Sequence, residues 1–129
     1  MSEKVCVITG GTSGIGKCTA EAMRQKGYAV YELSRRETGV AGFVHIPTDV
    51  TKPEMVDAAI AEVLRQEDHI DVLINNAGFG ISGAVEFTSM EQAKAQFDVN
   101  FFGTVTVNKA VLPFMRHQGK GHIVNISSV

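Results

Sequence analysis

The chain has 129 residues, 44% of them hydrophobic and 20% charged, with a formal net charge of −2 at pH 7. This suits a single domain over residues 1–129 with a sizeable buried core. The small charge, with no long basic run, speaks against nucleic acid or an anionic membrane as partner, and no apolar run approaches the length of a membrane span. Met1-Ser2-Glu3-Lys4 lacks the apolar region of a secretory signal. Cys6 and Cys18 form no Cys-x-x-Cys pair, so buried reduced thiols and a cytoplasmic setting are expected.

Lys4–Ile8 is almost wholly apolar, as a strand covered on both faces should be. From Gly14 to Lys26, Ile15, Cys18, Thr19, Ala22 and Met23 recur at helical spacing, and Gly27 is a natural stop. Tyr28–Leu33 reads as the second strand, Arg36–Gly42 as a polar loop and Phe43–Ile46 as a short third strand. Thr51 and Glu54 suggest a capping box with Pro53 in the first turn. The helix behind it places Met55, Val56, Ala59, Ile60, Val63 and Leu64 on one face. Asp71–Ile74 is a fourth strand. A long helix from Thr88 or Ser89, with Glu91 and Gln92 as capping partners, runs towards His117, and His122–Ile126 is a fifth strand. This alternation predicts an α/β fold, a doubly wound parallel sheet with right-handed crossovers.

The first strand runs into Thr9-Gly10-Gly11-Thr12-Ser13-Gly14-Ile15-Gly16 and then a helix. Glycines allow positive φ and close main-chain approach, and a helix start aims N–H groups and roughly half a positive charge at an anion. The loop therefore predicts a phosphate-bearing ligand. Gly11-x-x-x-x-Gly16-Lys17-Cys18 misses a P-loop by one residue, the one that would hold Mg²⁺ through a hydroxyl; a thiol suits that cation poorly. An NTPase is thus the remote alternative. The long dinucleotide pattern Gly-x-Gly-x-x-Gly also fails, since from Gly14 its third glycine falls on Thr19.

What fits is Thr-Gly-x-x-x-Gly-Ile-Gly at residues 9–16, followed in order by Asp49-Val50-Thr51, Asn75-Asn76-Ala77-Gly78, Asn100 and Ile126-Ser127-Ser128. In these segments the chain resembles the N-terminal half of the short-chain dehydrogenase/reductase family in its classical form. The resemblance implies a Rossmann-type sheet of strand order 3-2-1-4-5, with Gly10, Thr12, Ser13, Gly14, Ile15 and Gly16 around the pyrophosphate of a dinucleotide. It implies Asp49 and Val50 at the adenine, and Asn76, Ala77 and Gly78 beside the cofactor. A local turn closed on Thr51 is the competing reading of Asp49, and a turn-forming pair that of Asn75 and Asn76.

At the end of the second strand the usual acidic position holds Ser34, followed by Arg35 and Arg36, which favours a 2′-phosphate over a 2′-hydroxyl. NADP(H) is therefore expected over NAD(H). Glu32 lies on the same strand face but too deep to reach the ribose. The resemblance makes Ser128 the catalytic serine, polarising a substrate oxygen, and Asn100 part of a proton relay through local backbone and a water. The expected activity is a carbonyl reduced to a secondary alcohol, or the reverse, on a small molecule, by a homodimer or homotetramer. A non-catalytic NADP(H) sensor module is the main alternative. The family's Tyr-x-x-x-Lys follows its serine, and this sequence stops at Val129. The C-terminal part of the fold is thus expected to lie in a longer chain, and the 129 residues alone to be inactive. Tyr28 and Tyr31 cannot replace that tyrosine. His45, His69, His117 and His122 show no metal-ligand spacing and are expected at the surface or at hinges, and Phe97, Phe101 and Phe102 are expected to pack or to serve a subunit interface.

Overall fold

The computed structural model describes residues 3–36 and 42–127. The predicted loop, apart from Arg36 and Gly42, and Ser128 lie outside them. Five parallel strands, β1 (Val5–Thr9), β2 (Ala29–Ser34), β3 (Val44–Pro47), β4 (Val72–Asn75) and β5 (His122–Asn125), form one sheet. Their order is β3-β2-β1-β4-β5. This is the predicted Rossmann-type order. The next strand in sequence lies on one side of β1 at first and on the other later, so strand order reverses at β1 and β4.

Every residue of β1 is buried, because helices cover both faces of the sheet. On one face Val5, Val7, Tyr31 and Leu33 pack against α2 (Pro53–Glu67) and α4 (Thr104–Gln118), through Val56, Ile60 and Val63 and through Val107 and Val111. On the other, Cys6, Ile8 and Val30 meet Ala20 and Met23 of α1 (Gly14–Gln25). Alternation along a strand sends neighbours to opposite layers, so an unbroken apolar run is what this architecture needs.

Four details differ from expectation. The inward face of α1 is Gly16 and Ala20, while Ile15 is 68% exposed. Small residues let this helix lie close to the strands, and their weak hydrophobicity hides the face from a periodicity reading. Cys18 is exposed and only Cys6 is buried. The cap of α2 is Lys52 with Pro53 at its start, and no side chain caps it, because Thr51 turns back to Asp49. Finally, the long helix is not continuous. It consists of α3 (Met90–Phe97), a π-helical segment Asp98–Gly103 and then α4, with the capping box of Ser89 and Gln92 formed at its start. Phe97, Phe101 and Phe102 stand more than half exposed on this array rather than packed within the chain.

Candidate functional site

The turn from β1 into α1 is held from beneath by the end of β4. The Thr9 hydroxyl oxygen accepts the N–H groups of both Asn76 and Ala77 at 3.0 Å, and the Asn76 side-chain amide donates to the Gly10 carbonyl at 2.9 Å. Gly10 takes φ +67°, and a Cβ there would lie 3.0 Å from Ala77 Cα. At Gly16 a Cβ would collide with the Gly10 carbonyl oxygen and the Asn76 amide. Glycine is thus required at both places, by backbone angle and close contact at one and by contact alone at the other. The Ser13 side chain makes no capping bond, and the first turn of α1 carries no acidic residue. Its N–H groups keep their attraction for an anion.

Beside this turn opens a cavity of about 420 Å³. Gly10, Thr12 and Ser13 form one wall, and Ser34, Arg35 and Arg36 the wall beyond β2. Asp49 and Val50 bound it beyond β3, and Ala77 and Gly78 beyond β4. Ten residues singled out in the sequence therefore meet around one space at the carboxyl ends of four strands. Gly14, Ile15, Gly16 and Asn76 do not line it; they build or brace the turn beside it.

Asp49 closes the local turn on Thr51 and also lines the cavity. Its Oδ1 accepts from the Thr51 N–H at 2.9 Å and from the Thr51 hydroxyl at 2.6 Å, while the residue still faces the cavity. The Thr51 hydroxyl, more than Arg35 nearby, keeps the carboxyl below the ordinary carboxylate range against the opposing effect of partial burial. Asn75 is buried and donates to the side chains of Asn108 and Asn125, which ties β4 to α4 and β5. Asn100 sits in the π segment. Its Oδ1 accepts from the Phe79 N–H at 2.9 Å and its Nδ2 donates to the Phe79 carbonyl at 2.8 Å, so this side chain is committed to the loop after β4.

Glu32 lies deep, as expected, but its partners were not foreseen. Glu32 is 1% exposed, and its carboxylate accepts from the Gly11 N–H at 2.9 Å and from the Ser34 hydroxyl at 3.0 Å. His45 Nδ1 lies 2.6 Å from Glu32 Oε1. His45 is therefore neither a hinge nor a surface group. The signal was the register of β2 on β3, which sets Glu32 opposite His45 and cannot be read from one strand alone. Tyr31, one residue earlier, points to the other face, where its hydroxyl donates to Glu67 at 2.7 Å. Burial first, and then Glu67, push this phenol up to about 12. Among the described residues no group of three His, Cys, Asp or Glu side chains could hold a metal ion. Nor is any helix among them long and apolar enough to cross a membrane.

Comparison with known proteins bears on this arrangement. The sequence model of the short-chain dehydrogenase family matches residues 4–129. The 3-ketodihydrosphingosine reductase of Bacteroides thetaiotaomicron is 42% identical over 130 residues, which take in 100% of this chain and 48% of that protein. The ligand-free aldohexose dehydrogenase of Thermoplasma acidophilum superposes with a TM-score of 0.94 at 38% identity, covering 98% of this chain and 50% of that one. ElxO with NADP bound superposes with a TM-score of 0.90 at 30% identity, over 98% of this chain and 56% of its own. The chain thus spans about half the length of the curated relatives it matches. In sequence along nearly its whole extent, and in the order of its strands, this chain belongs to the short-chain dehydrogenase family.

Proposed function

We propose that these residues are the NADP(H)-binding part of an oxidoreductase that interconverts a carbonyl and a secondary alcohol on a small molecule. The observation that carries this reading is the cavity lying between an acid-free helix start and the two arginines beyond β2. The residues present suit the group: the glycine turn offers main-chain N–H donors to a pyrophosphate, and Arg35 and Arg36 offer charge to a 2′-phosphate. Asp49 keeps one carboxylate oxygen free of Thr51 for an adenine amine, and Ala77 and Gly78 supply a flat wall without long side chains. When bound, the nicotinamide supplies or takes up the hydride. Ser128 would donate its hydroxyl to the substrate oxygen, where negative charge grows. With the Asn100 side chain held by Phe79, the share of Asn100 in a proton path falls to its main-chain carbonyl, which already accepts from the Thr104 hydroxyl at 3.2 Å and has a second lone pair. The exposed Phe97, Phe101 and Phe102 suit burial against a second copy of the protein.

Titration of the full-length protein with NADPH and NADH, followed by nicotinamide fluorescence, tests this. Saturable binding of both is expected, NADPH the tighter by about tenfold or more, the worth of one charge-assisted hydrogen bond. No saturable signal with either overturns the reading.

A further inference from the structure

The carboxylate of Glu32 lies under the glycine turn, at the β2 end of the cavity, where nothing in the proposed cofactor contacts requires it. Its three donors, the Gly11 N–H, the Ser34 hydroxyl and His45 Nδ1, satisfy it as a hydrogen-bond acceptor. They do not all neutralise it. The Gly11 amide and the Ser34 hydroxyl are uncharged, and among the described residues only His45 forms an ion pair with Glu32, when its ring is protonated. No Cβ could be placed on Gly11 without coming 2.8 Å from Glu32 Cγ, so carboxylate and turn are packed directly together.

Ser34 lines the cavity at the position where this fold meets the adenosine 2′ group. Its single hydroxyl hydrogen has two acceptors inside the protein, Glu32 Oε1 at 3.0 Å and the Arg36 carbonyl at 3.1 Å. What Ser34 offers the cavity is lone pairs, which suit a 2′-hydroxyl donor and not a phosphate oxygen. The Glu32 charge acts in the same sense, because an anion behind that wall repels an added phosphate. Arg35 and Arg36 act in the opposite sense.

We propose that Glu32 and His45 set the preference between the 2′-phosphorylated and the 2′-hydroxyl dinucleotide. Glu32 weakens the hold on a 2′-phosphate, and His45, when charged, offsets Glu32 across the β2–β3 pairing. Both are positioning residues that act through Ser34 and the wall behind it. The proposal rests on the dinucleotide reading above and asks more of it.

The test is the ratio of the NADPH and NADH dissociation constants, measured at pH 7 on the full-length protein and two variants, with thermal melts to verify folding. Glu32→Gln keeps the shape and removes the charge; it should shift the ratio towards NADPH by about threefold or more. His45→Gln keeps an N–H donor for Oε1 but cannot carry charge; with any ring charge lost, the ratio moves only towards NADH. A merely structural pair would weaken both dinucleotides alike and leave the ratio within about 1.5-fold of the unsubstituted protein, and that result, or a shift of the opposite sign, overturns the proposal. Should Glu32→Gln not fold, Ser34→Ala decides by the same criterion, because it removes the lone pairs through which Glu32 meets the cavity and should shift the ratio towards NADPH. An unsubstituted protein that binds neither dinucleotide sinks the functional reading and this proposal together; saturable binding with an unmoved ratio sinks this proposal alone.

Discussion

Thr9 shows how much one side chain carries at the mouth of this sheet. Its hydroxyl oxygen is the common acceptor for two successive N–H groups of the neighbouring strand end. Thr9→Val keeps the branched shape and leaves both donors without a partner. It should cost about 1–3 kcal/mol, read as a lower urea midpoint with an unchanged slope. Gly16 is tied to the same point from the other side. Gly16→Ala must push the helix start away from Gly10 and Asn76, and NADPH affinity should fall by more than about tenfold, measured by the same fluorescence titration. At this scale much of the site was legible in the sequence. Glycines, strand-end polar residues and the arginine pair mark themselves, because each type is unusual where it stands. Asp49 was legible only as a choice between two roles, since one carboxylate has two oxygens and a sequence cannot say how they are shared. His45 was not legible, because its partner lies on another strand.

Among the elements, the break between α3 and α4 has the clearest functional meaning. A π-helical turn widens the helix locally, and here it brings the Asn100 amide against the backbone of Phe79 in both directions. Asn100→Ala should free that loop. The Phe79 amide is expected to exchange its hydrogen at least about tenfold faster, with the core strands little changed. Ser89→Ala removes the observed capping box and should cost about 1 kcal/mol by thermal or urea unfolding. The five strands and their parallel sheet followed from apolar runs and turn residues, while the order of the strands came from the family resemblance. The π segment followed from neither, for Asp98–Gly103 keeps a helical pattern and nothing in it spells the extra residue per turn. The cap of α2 was misread for a related reason. Thr51 and Glu54 have the right spacing, but Thr51 has a nearer acceptor in Asp49.

For the whole molecule, the groups that titrate abnormally predict how stability depends on pH. Cys6 is raised from 9.0 to about 12 by burial. Tyr31 is raised from 10.0 to about 12 by burial and Glu67. Folding holds these protons more tightly than the unfolded chain does. Their contribution is thus complete below pH 9 for Cys6 and below pH 10 for Tyr31, and is lost as the pH climbs towards 12. Melting temperature should fall across that window. Tyr31→Phe should flatten the part above pH 10, while costing about 1 kcal/mol near neutrality for the lost hydrogen bond. The same two-layer packing leaves the protein with thiols of opposite character, Cys18 open to solvent on α1 and Cys6 sealed beneath it. An alkylating reagent applied to the native protein should therefore mark Cys18 at once and reach Cys6 only when the sheet comes apart. The adduct on Cys6, followed by the mass of its peptide, becomes an internal clock for opening of the sheet that needs no engineered reporter.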